Sequence, residues 1–190
     1  KAAWDSIRKG IELTPPEDLT RLLAVLFSAS PRSDGSFVLK QQMTDYCNKA
    51  VVKYLALRGC KKITGAETPM IKYSIEQWQD PSLQQPGELQ QHAASLLLTL
   101  LYPARMYRAD IQFAVTFLAR FITKWTVLCD MMLHRLFCYL HATASYHLES
   151  IVGSGEQELA SLRIEGYPDA DHGDCPISNR STSGGAVVIT

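Results

Sequence analysis

Between Ala93 and His141 three apolar-periodic segments follow one another with little chain between them, and this crowding commits the middle of the sequence to packed helices. Ala93 to Tyr102 is apolar nearly all round and is expected to be a buried helix. Asp110 to Phe121 carries Ile111, Ala114, Val115 and Leu118 on one face, and Pro103 is expected to join the two segments. Thr126 to His141 repeats Leu128, Met132, Leu136, Tyr139 and Leu140 at helical spacing.

The flanks have a different period. Leu22–Phe27 and Phe37–Leu39 enclose Pro31-Arg-Ser-Asp-Gly35, which predicts a β-hairpin with Asp-Gly at its tip. Thr14-Pro-Pro-Glu17 has the cap, proline and glutamate of a helix start. Met43, Tyr46, Cys47, Ala50, Val51, Tyr54 and Leu55 predict an amphipathic helix that stops before Gly59 and packs on the hairpin. From 60 to 91 the sequence turns polar, with Pro69, Pro81, Pro86 and several glutamines, as a long and partly disordered connector would. Tyr146–Val152 and Leu162–Tyr167 have the pattern of strands around a Gly153-Ser-Gly155 turn. The expected class is α+β, divided as 1–59, 60–91, 92–145 and 146–190.

Charge and cysteine usage narrow the function classes. The 190 residues carry no net charge, so any attraction to nucleic acid has to come from a local patch. The five cysteines, Cys47, Cys60, Cys129, Cys138 and Cys175, lack CxxC spacing and point to reduced thiols inside the cell, cytoplasmic or nuclear. No apolar run is long enough to span a bilayer, no signal peptide opens the chain, and no membrane partner is expected. A start at Lys1 and a stop within Val187-Val188-Ile189 are expected of a fragment of a longer protein.

Three groups of residues offer chemistry. Arg105, Arg108, Arg120, Lys124 and Arg135 outnumber Asp110 and Asp130 in the helical middle, with Trp125 among them. They form a candidate nucleic-acid surface beside the alternative of a solvated helix face. His134, Cys138 and His141 share a helix face, but Cys129 lies off it and one helix makes a poor tetrahedral zinc site, so packing is favoured. Asp169, Asp171 and Asp174 suit a metal-dependent nuclease or a plain acidic turn. A calcium loop would need glycine at its sixth position.

Taken in order, Ala93-Ala-Ser-Leu-Leu-Leu-Thr-Leu-Leu-Tyr102, Tyr107-Arg-Ala-Asp-Ile111, Phe113-Ala-Val115, Leu118-Ala-Arg-Phe121 and His134-Arg-Leu-Phe-Cys-Tyr-Leu140 resemble the stretch of copia-type retrotransposon polyproteins between polymerase palm and RNase H domain. Tyr167-Pro-Asp-Ala-Asp171 with Arg180-Ser-Thr-Ser-Gly184 resembles that family's RNase H opening. The resemblance covers roughly residues 14–190 and is strongest from His92 onward. It implies a palm hairpin over 22–38, a thumb helix over 41–58 and thumb or connection helices over 92–142.

The resemblance also implies a parent that couples RNA-directed DNA synthesis to RNA-strand degradation, with an RNA–DNA hybrid or primer–template as partner and no small-molecule substrate. Asp169 falls on the family's first metal-binding carboxylate, catalytic in the intact enzyme, which implies Mg2+ as cofactor of the parent. The polymerase's Asp-Asp pair does not occur in this sequence, and the later nuclease carboxylates have no counterpart after Asp169, so the chain alone is expected to be inactive. Ala24 stands where the family usually has glycine, Ala109 where it has proline and His172 where it has tryptophan, while Pro168 precedes Asp169. A divergent or decayed copy is one expectation. A non-catalytic helical interaction or nucleic-acid-binding module derived from the connection region is the alternative.

Overall fold

The computed structural model describes residues 2–12, 15, 18–153, 163–171 and 181–189. In chain order these form α1 (Ala2–Arg8), β1 (Arg21–Leu22), β2 (Val25–Pro31), β3 (Phe37–Gln42), α2 (Thr44–Arg58), α3 (Ile75–Gln79), α4 (Ala93–Met106) and α5 (Ala109–Ala119). A 3-10 turn (Ile122–Lys124), α6 (Val127–Ala142), β4 (Leu148–Val152), β5 (Ile164–Asp171) and β6 (Thr182–Ile189) complete them. The class is α+β, with an antiparallel four-stranded sheet in the order β1-β2-β3-β4 and a separate β5-β6 hairpin. Among the described residues no helix is long and apolar enough to cross a membrane. The helix start at Thr14-Pro-Pro-Glu17 lies largely outside the described residues, as does most of the Gly153-Ser-Gly155 turn.

The expected hairpin forms between β2 and β3. At its tip Gly35 takes φ 82°, and the Ser36 amide and hydroxyl both donate to Asp34 Oδ1, at 3.0 and 2.6 Å. A second turn was not expected. Leu22 pairs with Val25 across a two-residue loop in which Leu23 and Ala24 have φ of 48° and 67°, the double positive φ of a type I′ turn. The Tyr102 hydroxyl donates to the Leu23 carbonyl and ties this tip to α4. A left-handed backbone costs a residue with a Cβ about 1–2 kcal/mol. Ala24→Gly is therefore expected to stabilise the protein by about 1 kcal/mol, seen as a higher urea midpoint at unchanged m-value, whereas Ala24→Val lowers it.

The core gathers α2, α4, α5 and α6, with Val25, Ala24 and Phe27 reaching into it from the sheet. The principal partners of α2 are α6 and α4, not the hairpin. Tyr54 of α2 stacks on Phe137 of α6 at 4.2 Å between ring centres, and Gly59, at φ 65°, closes α2 through its amide bonds to Ala56 and Leu55.

Pro103 lies inside α4 and does not join two helices. A proline leaves the carbonyl four residues earlier without its donor, and here the Tyr46 hydroxyl donates to that Thr99 oxygen at 3.1 Å, so the helix runs on to Met106. Nor is α4 buried all round. Leu98 is 65% exposed, and Ser95 and Thr99 accept Lys53 Nζ on the outer face.

The polar stretch 60–91 is ordered. Ser74 and Gln77 form a capping box for α3, Trp78 is buried near Phe117 and Phe121, and Leu89 enters the core. Its carbonyls also serve α6, whose first amides need partners from outside the helix. Val127 N donates to Gln85 O at 2.9 Å, Leu128 N to Leu83 O at 3.0 Å, and Cys129 N to the Thr126 hydroxyl at 3.4 Å. The segment is thus a cap, held by hydrogen bonds that its composition does not reveal.

The last correction concerns β4. It does not pair with β5 around the glycine turn but adds to β3, from Phe37↔Val152 to Gln41↔Leu148, with Lys40 bonded to Glu149 at 2.8 Å. Residues 148–152 therefore belong to the front sheet, although the sequence places them with the C-terminal strands.

Candidate functional site

Asp169 is exposed near the end of β5, opposite Gly184 of β6. A Cβ on Gly184 would meet nothing within 4 Å, so the space beside the carboxylate is open. The proline before it is accommodated by two features. Among the described residues β5 has one hydrogen-bonded neighbour, and the residue opposite Pro168 is Gly185, where a Cβ would lie 3.1 Å from the Tyr167 carbonyl. Glu165, Tyr167 and Asp169 alternate onto one strand face. There the Glu165 carboxylate accepts the Tyr167 hydroxyl at 2.5 Å, which raises that phenol's pKa.

Among the described residues no group of three His, Cys, Asp or Glu side chains comes together to hold a metal. One exposed carboxylate on a strand does not make a Mg2+ site by itself. The three residues of the α6 helix face lie in different surroundings. His134 Nδ1 lies 2.8 Å from the Tyr54 hydroxyl, Cys138 is buried and His141 is exposed. Cys47, Cys129 and Cys138 are free thiols that burial pushes up in pKa, as inert core residues would be.

The five cations separate. Arg105 is exposed on the last turn of α4, Arg120 at the C-terminal end of α5 and Lys124 at the end of the 3-10 turn. Arg120 lies over the Phe117 ring, 5.6 Å from its centre. Arg135 is half-buried on α6 and donates to the Thr68 hydroxyl at 2.9 Å.

Arg108 does not belong to the surface at all, being 2% exposed. It is bonded to Asp110 at 2.7 Å, to the Thr143 carbonyl at 2.9 Å and to the Thr143 hydroxyl at 2.6 Å, and it faces the rings of Tyr139 and Tyr146. Trp125 is buried as well, and its indole donates to Asp130 at 2.7 Å, so it offers no stacking platform. Composition counts charges and rings without showing which partners bury them.

A further site escaped the sequence. Arg58, Tyr73 and Glu88, which are far apart in the chain, line one cavity of about 430 Å³ with Asp130, His134 and Arg135 of α6. The signal that could have found it is the alignment of His134 and Arg135 on α6 with the C-terminal end of α2, and that needs the tertiary packing. Comparison with family models, curated proteins and solved structures finds no match to this chain.

Proposed function

We propose that this chain is a segment of a copia-type retrotransposon polyprotein. It would run from the end of the polymerase palm through the connection helices to the first hairpin of the RNase H domain, in a parent that makes DNA on RNA and degrades the RNA strand. In that parent Asp169 is the first carboxylate of the Mg2+ site, and Mg2+ supplies nucleophile activation and charge neutralisation at the scissile phosphate. The segment itself is inactive, because neither the polymerase Asp-Asp pair nor the later nuclease carboxylates are in the sequence.

The observation that carries this reading is the backbone at Ala24. The resemblance expects glycine there, and Ala24 holds φ 67°, a conformation that favours glycine. Ala109 supports it in the same way. The family's usual residue at this position is proline, and Ala109 is the first residue of α5, where proline is favoured. Both departures then exchange a well-fitted residue for alanine, as a divergent copy would.

The proposed partner is an RNA–DNA hybrid contacted through Arg105, Arg120 and Lys124. Binding is expected to weaken with salt, and neutralising these three residues is expected to reduce the salt slope by about one for each phosphate that no longer meets a cation. Fluorescence anisotropy with a labelled hybrid across a salt series measures this. A chain that ignores the hybrid, or binds it with no salt dependence, contradicts the proposed partner. Salt-insensitive capture of a protein by the helical middle favours the interaction-module alternative, for which exposed Leu98 and Phe113 are the supporting observation.

A further inference from the structure

The cavity between the C-terminal end of α2, the 71–88 segment and α6 has two guanidinium groups in its lining, Arg58 and Arg135. Arg135 Nε is buried and has no hydrogen-bond partner, while the other arm of the same side chain is satisfied by Thr68. That Nε is enclosed by protein, so a ligand in the cavity would meet the terminal nitrogens of the guanidinium groups and not this atom.

The two acids of the cavity are either engaged elsewhere or readily displaced. Asp130 is already committed to the Leu89 amide and the Trp125 indole. Glu88 bonds Arg58 at 2.9 Å, but its side chain is 82% exposed against 28% for Arg58. An ion pair with one partner so far into water is weak and can be displaced by a stronger anion.

Paired arginines present forked donors that match the oxygens of a phosphate. The rest of the lining suits a larger body than phosphate alone. Tyr73 brings an aromatic ring, and His134 is oriented by the Tyr54 hydroxyl at Nδ1, which leaves Nε2 as the remaining ring nitrogen. Desolvation and the neighbouring Arg58 lower the pKa of His134, so its ring is neutral near pH 7. The volume of about 430 Å³ lies within the range of small-ligand sites.

We propose that this cavity binds a nucleoside monophosphate, with the phosphate between Arg58 and Arg135 and the base beside Tyr73. The inference stands apart from the polyprotein reading, since it concerns a free small molecule and uses neither Asp169 nor the outer cations of α4 and α5. It also departs from the expectation of no small-molecule ligand.

Calorimetric titration of the full chain with AMP tests it, with adenosine and inorganic phosphate as separate arms. AMP is expected to bind, and adenosine and phosphate are each expected to bind at least about tenfold more weakly. Arg58→Gln is expected to weaken AMP binding by about tenfold or more, and its fold is safe because the change frees only an exposed carboxylate. Glu88→Gln should tighten binding several-fold by removing the competitor for Arg58, a gain that a purely structural pair would not produce. Absence of AMP binding at millimolar concentration overturns the proposal. So does phosphate binding as tightly as AMP, or an AMP affinity that neither variant moves.

Discussion

Asp110→Ala is expected to cost about 3–5 kcal/mol, enough to unfold most of a protein of ordinary stability. The reason lies in the asymmetry of its pair with Arg108. The arginine is 2% exposed and the Asp110 side chain 34%, so removing the acid strands a charged guanidinium in the core, while removing the base leaves a carboxylate that can turn to water. Arg108→Met should accordingly cost less, about 2 kcal/mol, although it also frees the Thr143 carbonyl and hydroxyl.

The pair carries a pH signature. Burial alone would raise the Asp110 pKa, but hydrogen bonds from Arg108 and Tyr139 and the charge of Arg108 outweigh it and hold the carboxyl below its ordinary value. A depressed folded pKa stabilises above the unfolded value of about 4 and stops doing so as pH falls through the folded value. The difference in urea midpoint between wild type and Asp110→Asn should therefore be full at neutral pH and shrink below about pH 4. A difference that stays constant down to pH 2 would contradict this assignment.

The second large effect is at Gly87. A Cβ there would lie 2.6 Å from the Thr126 carbonyl oxygen, 2.8 Å from Asp130 Oδ2 and 2.8 Å from Trp125 Cδ1. None of these can easily give way. The carbonyl is backbone, and Asp130 and Trp125 hold each other while Asp130 also accepts the Leu89 amide. Gly87→Ala is expected to cost about 3 kcal/mol and to pull the 83–87 segment off the start of α6. Hydrogen exchange reads this locally, because the Val127 and Leu128 amides, which donate to Gln85 and Leu83, should lose their protection first. Gly166→Ala, where a Cβ meets nothing within 4 Å, is the matched control and should change stability by less than about 0.5 kcal/mol.

These two positions show where the sequence was legible and where it was not. Local signals were reliable: Asp34-Gly35 made its turn, Gly59 ended α2, and the apolar period of 126–141 made α6. Signals that depend on a distant partner were not. Pro103 should break a helix, yet Tyr46 supplies the missing donor from another helix, and nothing in the local sequence announces that rescue. Arg108 has the composition of a surface cation, and its distant partners, Thr143 on the turn after α6 and the rings of Tyr139 and Tyr146, make it a core residue. The 60–91 stretch is polar because its backbone carbonyls and amide side chains cap other elements, a role whose composition is that of a disordered linker. The strand at 148–152 was legible as a strand, but its partner was not, since pairing with β3 rather than β5 is settled by the return of the chain from α6.

The candidate site divides in the same manner. Asp169 near a strand end is what the resemblance implies, whereas its place opposite Gly184 comes from the pairing of β5 with β6. The cavity does not, because Arg58, Glu88 and Arg135 meet only when α2, the capping segment and α6 are assembled.

The polyprotein reading is tested most directly by the sequence of the transcript on both sides of these 190 residues. It predicts an upstream Tyr-x-Asp-Asp hairpin in the same reading frame, and downstream Glu and Asp residues at the spacing of an RNase H metal site, which would make Asp169 one carboxylate among several. A start codon beside Lys1 and a stop after Thr190 would contradict it and leave a non-catalytic module.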